Sequence, residues 1–107
     1  MRVPAEACRL RIFIGSDDSF EGRPLSDAIL TRARDMAIAG ATATRGIAGF
    51  GPSSRLRPSG LAISRDLPVV IEIVDERDRI DAFLPVLEPM LGGALATIEP
   101  VTVLRRK

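Results

Sequence analysis

Residues 44–51 contain the groups of this chain that are best suited to binding an anion. The sequence there is TRGIAGFG, which places Gly46, Gly49 and Gly51 directly before the longest polar loop. Glycine adopts positive φ at little cost and has no side chain to keep a ligand away from the backbone. Exposed backbone N–H groups in such a turn attract anions, and the guanidinium of Arg45 offers a planar fork for phosphate. The segment predicts a backbone-lined binding edge, and a strand-end bulge without a ligand is the alternative.

The composition argues against catalysis. The chain has no histidine and one cysteine, Cys8, which excludes histidine-dependent triads, an intrachain disulfide and a cluster of metal-binding thiolates. Asp17 and Asp18 form the best carboxylate pair, but two sequence neighbours without a third ligand make a poor metal site. We therefore expect no metal and no catalytic residues. An enzyme that uses arginine and carboxylate chemistry stays open as an alternative.

Charge and hydropathy set the expected partners and compartment. The net charge is +1, and the chain has four phenylalanines but no tryptophan or tyrosine, so no nucleic acid is expected as a partner. The sequence has no apolar stretch of the roughly 18 residues that a membrane span needs. Residues 1–8 are too short and too polar for a signal peptide. These observations predict a cytoplasmic protein.

The apolar periodicity predicts one domain over residues 1–107, with an N-terminal arm at 1–8 and a long functional loop at 51–66. Alternation or apolar runs predict strands at residues 9–14, 41–50, 67–74 and 96–105. A stripe at three- and four-residue spacing predicts a helix over residues 24–39 that stops at Gly40. A second helix begins near Asp75 or Asp78, and Pro85 and Pro89 predict a kink or an early end.

The order strand, helix, strand, strand, helix, strand predicts an α+β fold of the ferredoxin-like βαββαβ type, with a four-stranded antiparallel sheet. Pro100 in the last strand indicates an edge position or a bulge. Two helices can cover only one face of such a sheet, although residues 67–74 are apolar at successive positions, as in strands buried on both faces. This mismatch predicts self-association through the open sheet face.

Several motifs together resemble the PII-like signalling proteins. The most similar group is the uncharacterised branch of that superfamily, which is described mainly as a domain of unknown function. The motifs are LRIFIG at residues 10–15, GAT at 40–42, RGIAGFG at 45–51, DLPVVIEIV at 66–74 and FLP at 83–85. The resemblance spans roughly residues 9–105, which is nearly the whole chain.

The resemblance implies a non-enzymatic homotrimer that binds an adenine nucleotide in clefts between subunits. The positions that it assigns to the ligand are Gly40, Thr42, Gly49, Phe50, Gly51, Glu72 and Val74, with Arg105 or Arg106 near the phosphates. The alternatives are an arginine ion pair for Glu72, a core position for Phe50 and a frayed basic tail for Arg105.

The resemblance also implies that the long loop regulates a protein partner, which by analogy is a membrane transporter or channel. The candidate contacts in that loop are Arg55, Arg57, Leu61, Ile63 and Arg65. This chain lacks the phosphate-binding lysine that the better-studied PII proteins carry after the second helix. A mono- or diphosphate or a cyclic nucleotide is therefore favoured over ATP. A constitutive interaction subunit with a vestigial pocket is the competing interpretation.

Overall fold

The computed structural model describes residues 1–51 and 66–106. In chain order the elements are β1 (Ala5–Gly15), β2 (Ser19–Phe20), β3 (Arg23–Pro24), α1 (Leu25–Asp35), β4 (Gly40–Arg45), β5 (Pro68–Asp75), α2 (Arg77–Leu91) and β6 (Leu95–Val103). The four long strands form one antiparallel sheet in the order β4-β5-β1-β6, and β2 pairs with β3 in a separate small hairpin. The predicted ferredoxin-like α+β fold is confirmed, while the small hairpin was not predicted.

The core lies between one face of the sheet and the two helices. Alternation along β1 directs Leu10, Ile12 and Ile14 inward, and β5 contributes its own alternate residues, Ile71 and Ile73 among them. Side chains on the opposite face of β5 are only half-buried. One face of the sheet is therefore open in the single chain, as expected for two helices on a four-stranded sheet, and the self-association predicted from it stays a prediction.

Both helices lie close to their predicted positions but end at different residues. Pro24 precedes the first turn of α1, and Asp27 lies in that turn, where the helix dipole favours negative charge. The helix ends at Asp35 rather than near Gly40, and the chain turns at Ala37, which has a φ of 56°. Helix α2 continues through Pro85 and Pro89 to Leu91, so the predicted early end is wrong. Four of its side chains are buried against the sheet, namely Ile80, Phe83, Leu87 and Met90.

Three strand boundaries also differ from the prediction. Strand β1 begins at Ala5, so the second half of the predicted arm at residues 1–8 is part of the sheet. Strand β4 ends at Arg45 instead of near Phe50, and β6 ends at Val103, before Arg105. Pro100 lies in β6, which is an edge strand as predicted.

A polar corner fixes the beginning of β4 against the start of α2. Asp75 is only 2% exposed, and its carboxylate accepts hydrogen bonds from the N–H groups of Ala39 (3.0 Å) and Glu76 (2.7 Å) and from Nε of Arg79 (3.2 Å). The Arg79 guanidinium also donates to the carbonyl oxygens of Met36 (2.9 Å) and Ala37 (2.8 Å). This network, the Asp75–Arg79 corner, ties the turn between α1 and β4 to the second helix.

The two ends of the loop region at residues 51–66 are attached to the same end of the sheet. On one side, the N–H of Gly46 donates to the carbonyl of Pro68 at 2.7 Å. On the other side, the N–H of Ser16 donates to the Leu67 carbonyl (2.8 Å), and the Leu67 N–H donates to Oγ of Ser16 (2.9 Å). The N–H of Asp17 donates to Oδ1 of Asp66 at 3.0 Å. These bonds are referred to below as the loop anchors.

Candidate functional site

The glycine segment, residues 46–51, leaves the sheet at the end of β4 and presents its backbone beside β5. A Cβ on Gly46 would lie 2.9 Å from Cγ of Pro68, closer than real Cβ contacts allow. The close approach of the Pro68 ring thus favours glycine at this position. Ile47 is 89% exposed and Phe50 is 78% exposed, so the alternative that Phe50 belongs to the core is wrong.

Two adjoining cavities lie beside this segment. The first has a volume of about 250 Å³ and is lined by Gly46, Ala48, Gly49, Phe50, Gly51, Phe13, Ile14 and residues 68–70. The second has a volume of about 340 Å³ and is lined by Arg11, Phe13, Thr44, Gly46, Val70 and Glu72. Because Phe13, Gly46 and Val70 line both, the two form one continuous depression from the glycine segment onto the open sheet face.

The register of β4 and β5 brings most of the predicted site residues together. Gly40 lies opposite Val74, and Thr42 lies opposite Glu72, so these four residues occupy adjacent rows of the open face. Arg45 lies opposite Val69, one residue before the glycine segment. The predicted residues thus lie along the β4–β5 strand pair, from Gly40 at the beginning of β4 to the depression beyond its end.

Arg105 does not join this group within one chain. It follows β6 at the opposite edge of the sheet, and Val103 lies opposite Ala5, at the far end of β1 from Gly15. The glycine segment lies near the Gly15 end, because Gly15 and Gly46 both neighbour Pro68. The ten-residue separation along β1 corresponds to about 33 Å.

A ladder of four charged side chains crosses the open face. Arg9 pairs with Glu99, and Arg11 pairs with Glu72 (Nε to Oε2, 3.2 Å) and more distantly with Glu99 (3.9 Å). The hydrogen bond from Arg9 lowers the pKa of the Glu99 carboxyl, and the same bond raises the pKa of Arg9. Of the two roles left open for Glu72, the arginine ion pair is therefore present. This ladder, which we call the charge ladder, is neutral overall.

Arg45 is the cation nearest to the glycine segment that is not engaged in the charge ladder. Its side chain is exposed and forms no ion pair with another described residue. The proposed loop contacts Arg55, Arg57, Leu61, Ile63 and Arg65 lie outside the described residues. Arg45 neighbours the glycine segment in sequence, but it lies opposite the buried Val69, on the helix side of the sheet, and it lines neither cavity. Its role as a phosphate contact stays a prediction.

The sequence interpretation missed Arg11, Phe13 and Val70 as residues of the depression. The signal that could have found them is the alternation of β1 and β5, which places Arg11 opposite Glu72 and Phe13 opposite Val70. Asp18 accepts a hydrogen bond from the Gly15 N–H at 2.9 Å, which is a structural role in the turn. Within residues 1–51 and 66–106, no group of three metal-binding side chains lies together. No helix among these residues is long and apolar enough to cross a membrane.

The fold of the chain is that of solved PII-like proteins. A nitrogen regulatory PII-like protein of Thiomonas intermedia K12, CPII, solved bound to ADP, AMP and bicarbonate, superposes with a TM-score of 0.71 at 12% identity, covering 94% of this chain and 91% of that one. A putative PII-like signalling protein of Thermus thermophilus gives a TM-score of 0.66 at 17% identity, covering 94% and 92%. At these identities the likeness is one of fold.

Sequence comparison identifies the family. The model of the DUF190 family, described as an uncharacterised ACR, matches residues 7–103. A UPF0166 protein of Aquifex aeolicus is 42% identical over 96 residues, which cover 89% of this chain and 90% of that protein. A UPF0166 protein of Methanocaldococcus jannaschii is 35% identical over 78 residues, covering 73% and 72%. The chain belongs to the DUF190 family, and the sequence resemblance to the uncharacterised PII-like branch is confirmed.

Proposed function

We propose that this chain is a non-enzymatic PII-like sensor in the cytoplasm, which binds an adenine nucleotide and regulates a protein partner through the loop at residues 51–66. The observation that carries the proposal is the open depression at the end of β4. There Phe50 stands exposed beside glycine backbone, next to a half-buried strand face. An exposed aromatic ring and accessible backbone are what a nucleotide base and its phosphates need. The ADP and AMP bound by CPII, which has the same fold, support this assignment.

The charges around the depression favour a nucleotide with few phosphates. Arg11 is neutralised by carboxylates of the charge ladder, which leaves Arg45 as the unengaged described cation beside the glycine segment. One guanidinium can contact one or two phosphates through charge-assisted hydrogen bonds, while a triphosphate gains more from further cations. AMP, ADP or a cyclic nucleotide is therefore our first choice, in agreement with the missing downstream lysine.

The ligand site is completed between subunits of a homotrimer in this proposal. Within one chain, Arg105 lies at the opposite end of the sheet from the glycine segment. A neighbouring subunit could supply Arg105, and self-association would also cover the open sheet face. Binding would then report to the partner only through a difference in ligand affinity between two loop states. A membrane transporter or channel remains our choice of partner by analogy.

Thermal denaturation with AMP, ADP, ATP and cyclic AMP tests the proposal. A ligand present at about 100 times its dissociation constant stabilises the folded state by about 2.7 kcal/mol. The variant Arg45→Gln should weaken binding of the preferred nucleotide roughly tenfold, the value of a lost charge-assisted hydrogen bond. Arg34→Gln, at an exposed arginine of α1, is the matched control and should bind normally.

Three outcomes would contradict the proposal or redirect it. No stabilisation by any of the four nucleotides, together with a monomeric mass, would exclude the sensor. Consumption of the nucleotide on incubation, followed by chromatography, would instead support the enzyme. A stable complex with a partner that no nucleotide changes would support the constitutive interaction subunit.

A further inference from the structure

Another cavity lies on the helix side of the sheet, away from the glycine segment. It has a volume of about 260 Å³ and is lined by Met36, Ile38, Asp78, Arg79 and Ala82. It is therefore bounded by the turn that joins α1 to β4 and by the first part of α2. The described residues that line it are not among those that line the depression at the end of β4. The two cavities are thus separate candidates for ligand binding.

Arg79 is fixed in position at this cavity. Its Nε donates to the buried carboxylate of Asp75 at 3.2 Å, and its Nη2 donates to the carbonyl oxygens of Met36 (2.9 Å) and Ala37 (2.8 Å). The N–H groups of Nη1 form no hydrogen bond with another residue in the part of the chain that the structure describes. The side chain is 43% exposed, so these donors can reach a ligand. A planar guanidinium with two donors to spare is suited to a carboxylate.

A carboxylate lines the same cavity beside this guanidinium. Asp78 is exposed, and its Oδ1 accepts the N–H of Arg79 at 2.9 Å. Asp75 and Asp81 form ion pairs with arginines, whereas Asp78 forms none with a described residue. Its Oδ2 can therefore accept a hydrogen bond from a cationic group of a ligand. The cavity thus presents one donor group and one acceptor group of opposite charge.

The other three lining residues are apolar. Met36 and Ile38 are half-buried and pack against the core, and Ala82 lies one helical turn after Asp78. The volume of about 260 Å³ is below the roughly 300–1,000 Å³ of sites for drug-sized ligands. The ligand that fits is therefore small. It has an apolar part for these three side chains and a charged part for the Arg79 and Asp78 groups.

We infer that this cavity binds a free aliphatic α-amino acid of about the size of leucine. The α-carboxylate accepts hydrogen bonds from Nη1 of Arg79, the α-ammonium group donates to Asp78, and the aliphatic side chain packs on the apolar lining. A zwitterion matches both charges, while a simple carboxylate would be repelled by Asp78 and a simple amine by Arg79. The nearby N-terminus of α2 also favours the carboxylate, because the helix dipole is positive there.

This inference goes beyond the proposed function, since it adds a second ligand at a different place. It does not rest on the nucleotide site. The amino acid would bind on top of the Asp75–Arg79 corner, whose hydrogen bonds exist without it. A ligand that binds the folded chain alone also stabilises it. Leucine should therefore raise the melting temperature of the full chain.

Calorimetric titration of the full chain with four probes tests the ligand class. The probes are L-leucine, isocaproate without the ammonium group, isoamylamine without the carboxylate, and glycine without the side chain. We expect isocaproate and isoamylamine to bind at least about tenfold more weakly than leucine, through the loss of one charge-assisted contact each. Glycine should bind about tenfold to hundredfold more weakly, through the loss of apolar burial. Equal affinity for leucine and either single-charge probe would overturn the inference, as would no binding of leucine at millimolar concentration.

Two variants test the place of binding. Asp78→Asn removes the charge but keeps the size of the side chain and an acceptor for the Arg79 N–H, so we expect leucine to bind about tenfold more weakly. Ala82→Phe fills the cavity and should abolish leucine binding. Glu88→Gln, at an exposed position of α2 outside the cavity, is the control and should bind leucine normally. Unchanged leucine affinity in a folded Asp78→Asn protein would contradict the inference. If Asp78→Asn does not fold, Ala82→Phe takes its place with the same two outcomes.

Nucleotide binding measured on the same variants separates this inference from the proposed function. We expect the affinity for AMP and ADP to be the same in Asp78→Asn, Ala82→Phe and the wild-type chain, because neither residue lines the depression. Loss of leucine and nucleotide binding together in both variants would overturn the assignment of a separate site. Leucine binding by a chain that binds no nucleotide would support this inference and exclude the nucleotide sensor.

Discussion

The two ends of β4 are built in opposite ways. At its beginning, the Asp75–Arg79 corner surrounds a buried carboxylate with hydrogen-bond donors and fixes the preceding turn through two backbone carbonyls. At its end, Gly46 makes one backbone hydrogen bond to Pro68, and Ile47 and Phe50 project into solvent. A region with many buried contacts has a single conformation, while one with few contacts can exchange states at little cost. We infer from this contrast that the beginning of β4 is held in one conformation and that its end is freer to change conformation.

The largest expected effect comes from removing the buried carboxylate at the beginning of β4. Asp75→Ala removes the acceptor of the Arg79 guanidinium and of the Ala39 N–H. We expect the free energy of unfolding to fall by about 3 kcal/mol, since the part-buried N–H of Ala39 loses its acceptor and the Arg79 guanidinium loses its carboxylate. Urea denaturation measures the change. The control Asp78→Ala, at an exposed position in the first turn of α2, should cost less than about 1 kcal/mol. If the two variants lose the same free energy of unfolding, the corner contributes no more to stability than the exposed carboxylate of Asp78.

Phe50→Ala should affect binding rather than stability. Because the ring is mostly exposed, we expect a change in the free energy of unfolding below about 0.5 kcal/mol. Nucleotide affinity should fall roughly tenfold, which corresponds to the loss of one base-stacking contact. Calorimetric titration gives the affinity, and Phe50→Leu separates stacking from simple apolar contact. A large loss of stability with unchanged nucleotide affinity would show that Phe50 supports the fold and does not bind the nucleotide.

Gly46→Ala and Gly51→Ala form a matched pair within the open end. A Cβ at Gly46 meets the Pro68 ring at 2.9 Å, whereas a Cβ at Gly51 meets no atom of residues 1–51 and 66–106 within 4 Å. We expect Gly46→Ala to cost about 1–2 kcal/mol through overpacking and Gly51→Ala to be neutral or slightly stabilising. Thermal melts of the two variants give the comparison. Equal melting temperatures would mean that the glycine segment can move away from β5 freely.

The smallest effect concerns the charge ladder on the open face of the sheet. The hydrogen bond from Arg9 holds the pKa of Glu99 below its ordinary value of 4.5. A lowered carboxyl pKa stabilises the folded state above the unfolded pKa, and this contribution is lost as the pH falls through the folded pKa. Between pH 5 and pH 3 the melting temperature should therefore fall less steeply in Glu99→Gln than in the wild-type chain. Glu88→Gln, on an exposed part of α2, is the control, and identical slopes for Glu99→Gln and wild type would contradict the assignment.

Local sequence patterns were sufficient to predict the four-stranded sheet and its two helices. The alternation through Leu10, Ile12 and Ile14 identified β1, and the four-strand, two-helix order identified the sheet. Boundaries were less predictable because tertiary packing overrides local preference. Helix α2 continues through Pro85 since buried side chains on both sides of the proline, Phe83 and Leu87, hold it against the sheet. Strand β4 ends early because the glycine segment turns away after its bond to Pro68.

The candidate site was only partly predictable for a related reason. Gly40, Thr42, Glu72 and Val74 could be proposed from motifs, but their pairing depends on the register of β4 and β5, which is a nonlocal property. Arg11 and Phe13 enter the depression through a strand that is remote in sequence, so no local motif marks them. Arg105 has a plausible residue type, but the topology places it at the other edge of the sheet.

The loop anchors have a consequence for how this fold can vary. Ser16, Asp17 and Gly46 hold the two ends of the loop region through backbone atoms of Leu67 and Pro68 and the side chain of Asp66, so these bonds all join residues outside 52–65. Lengthening a closed loop twofold costs only about 0.6 kcal/mol in chain entropy. The sheet can therefore accept loops of different length between these anchors. We expect grafted segments of other lengths in place of residues 52–65 to leave the fold intact.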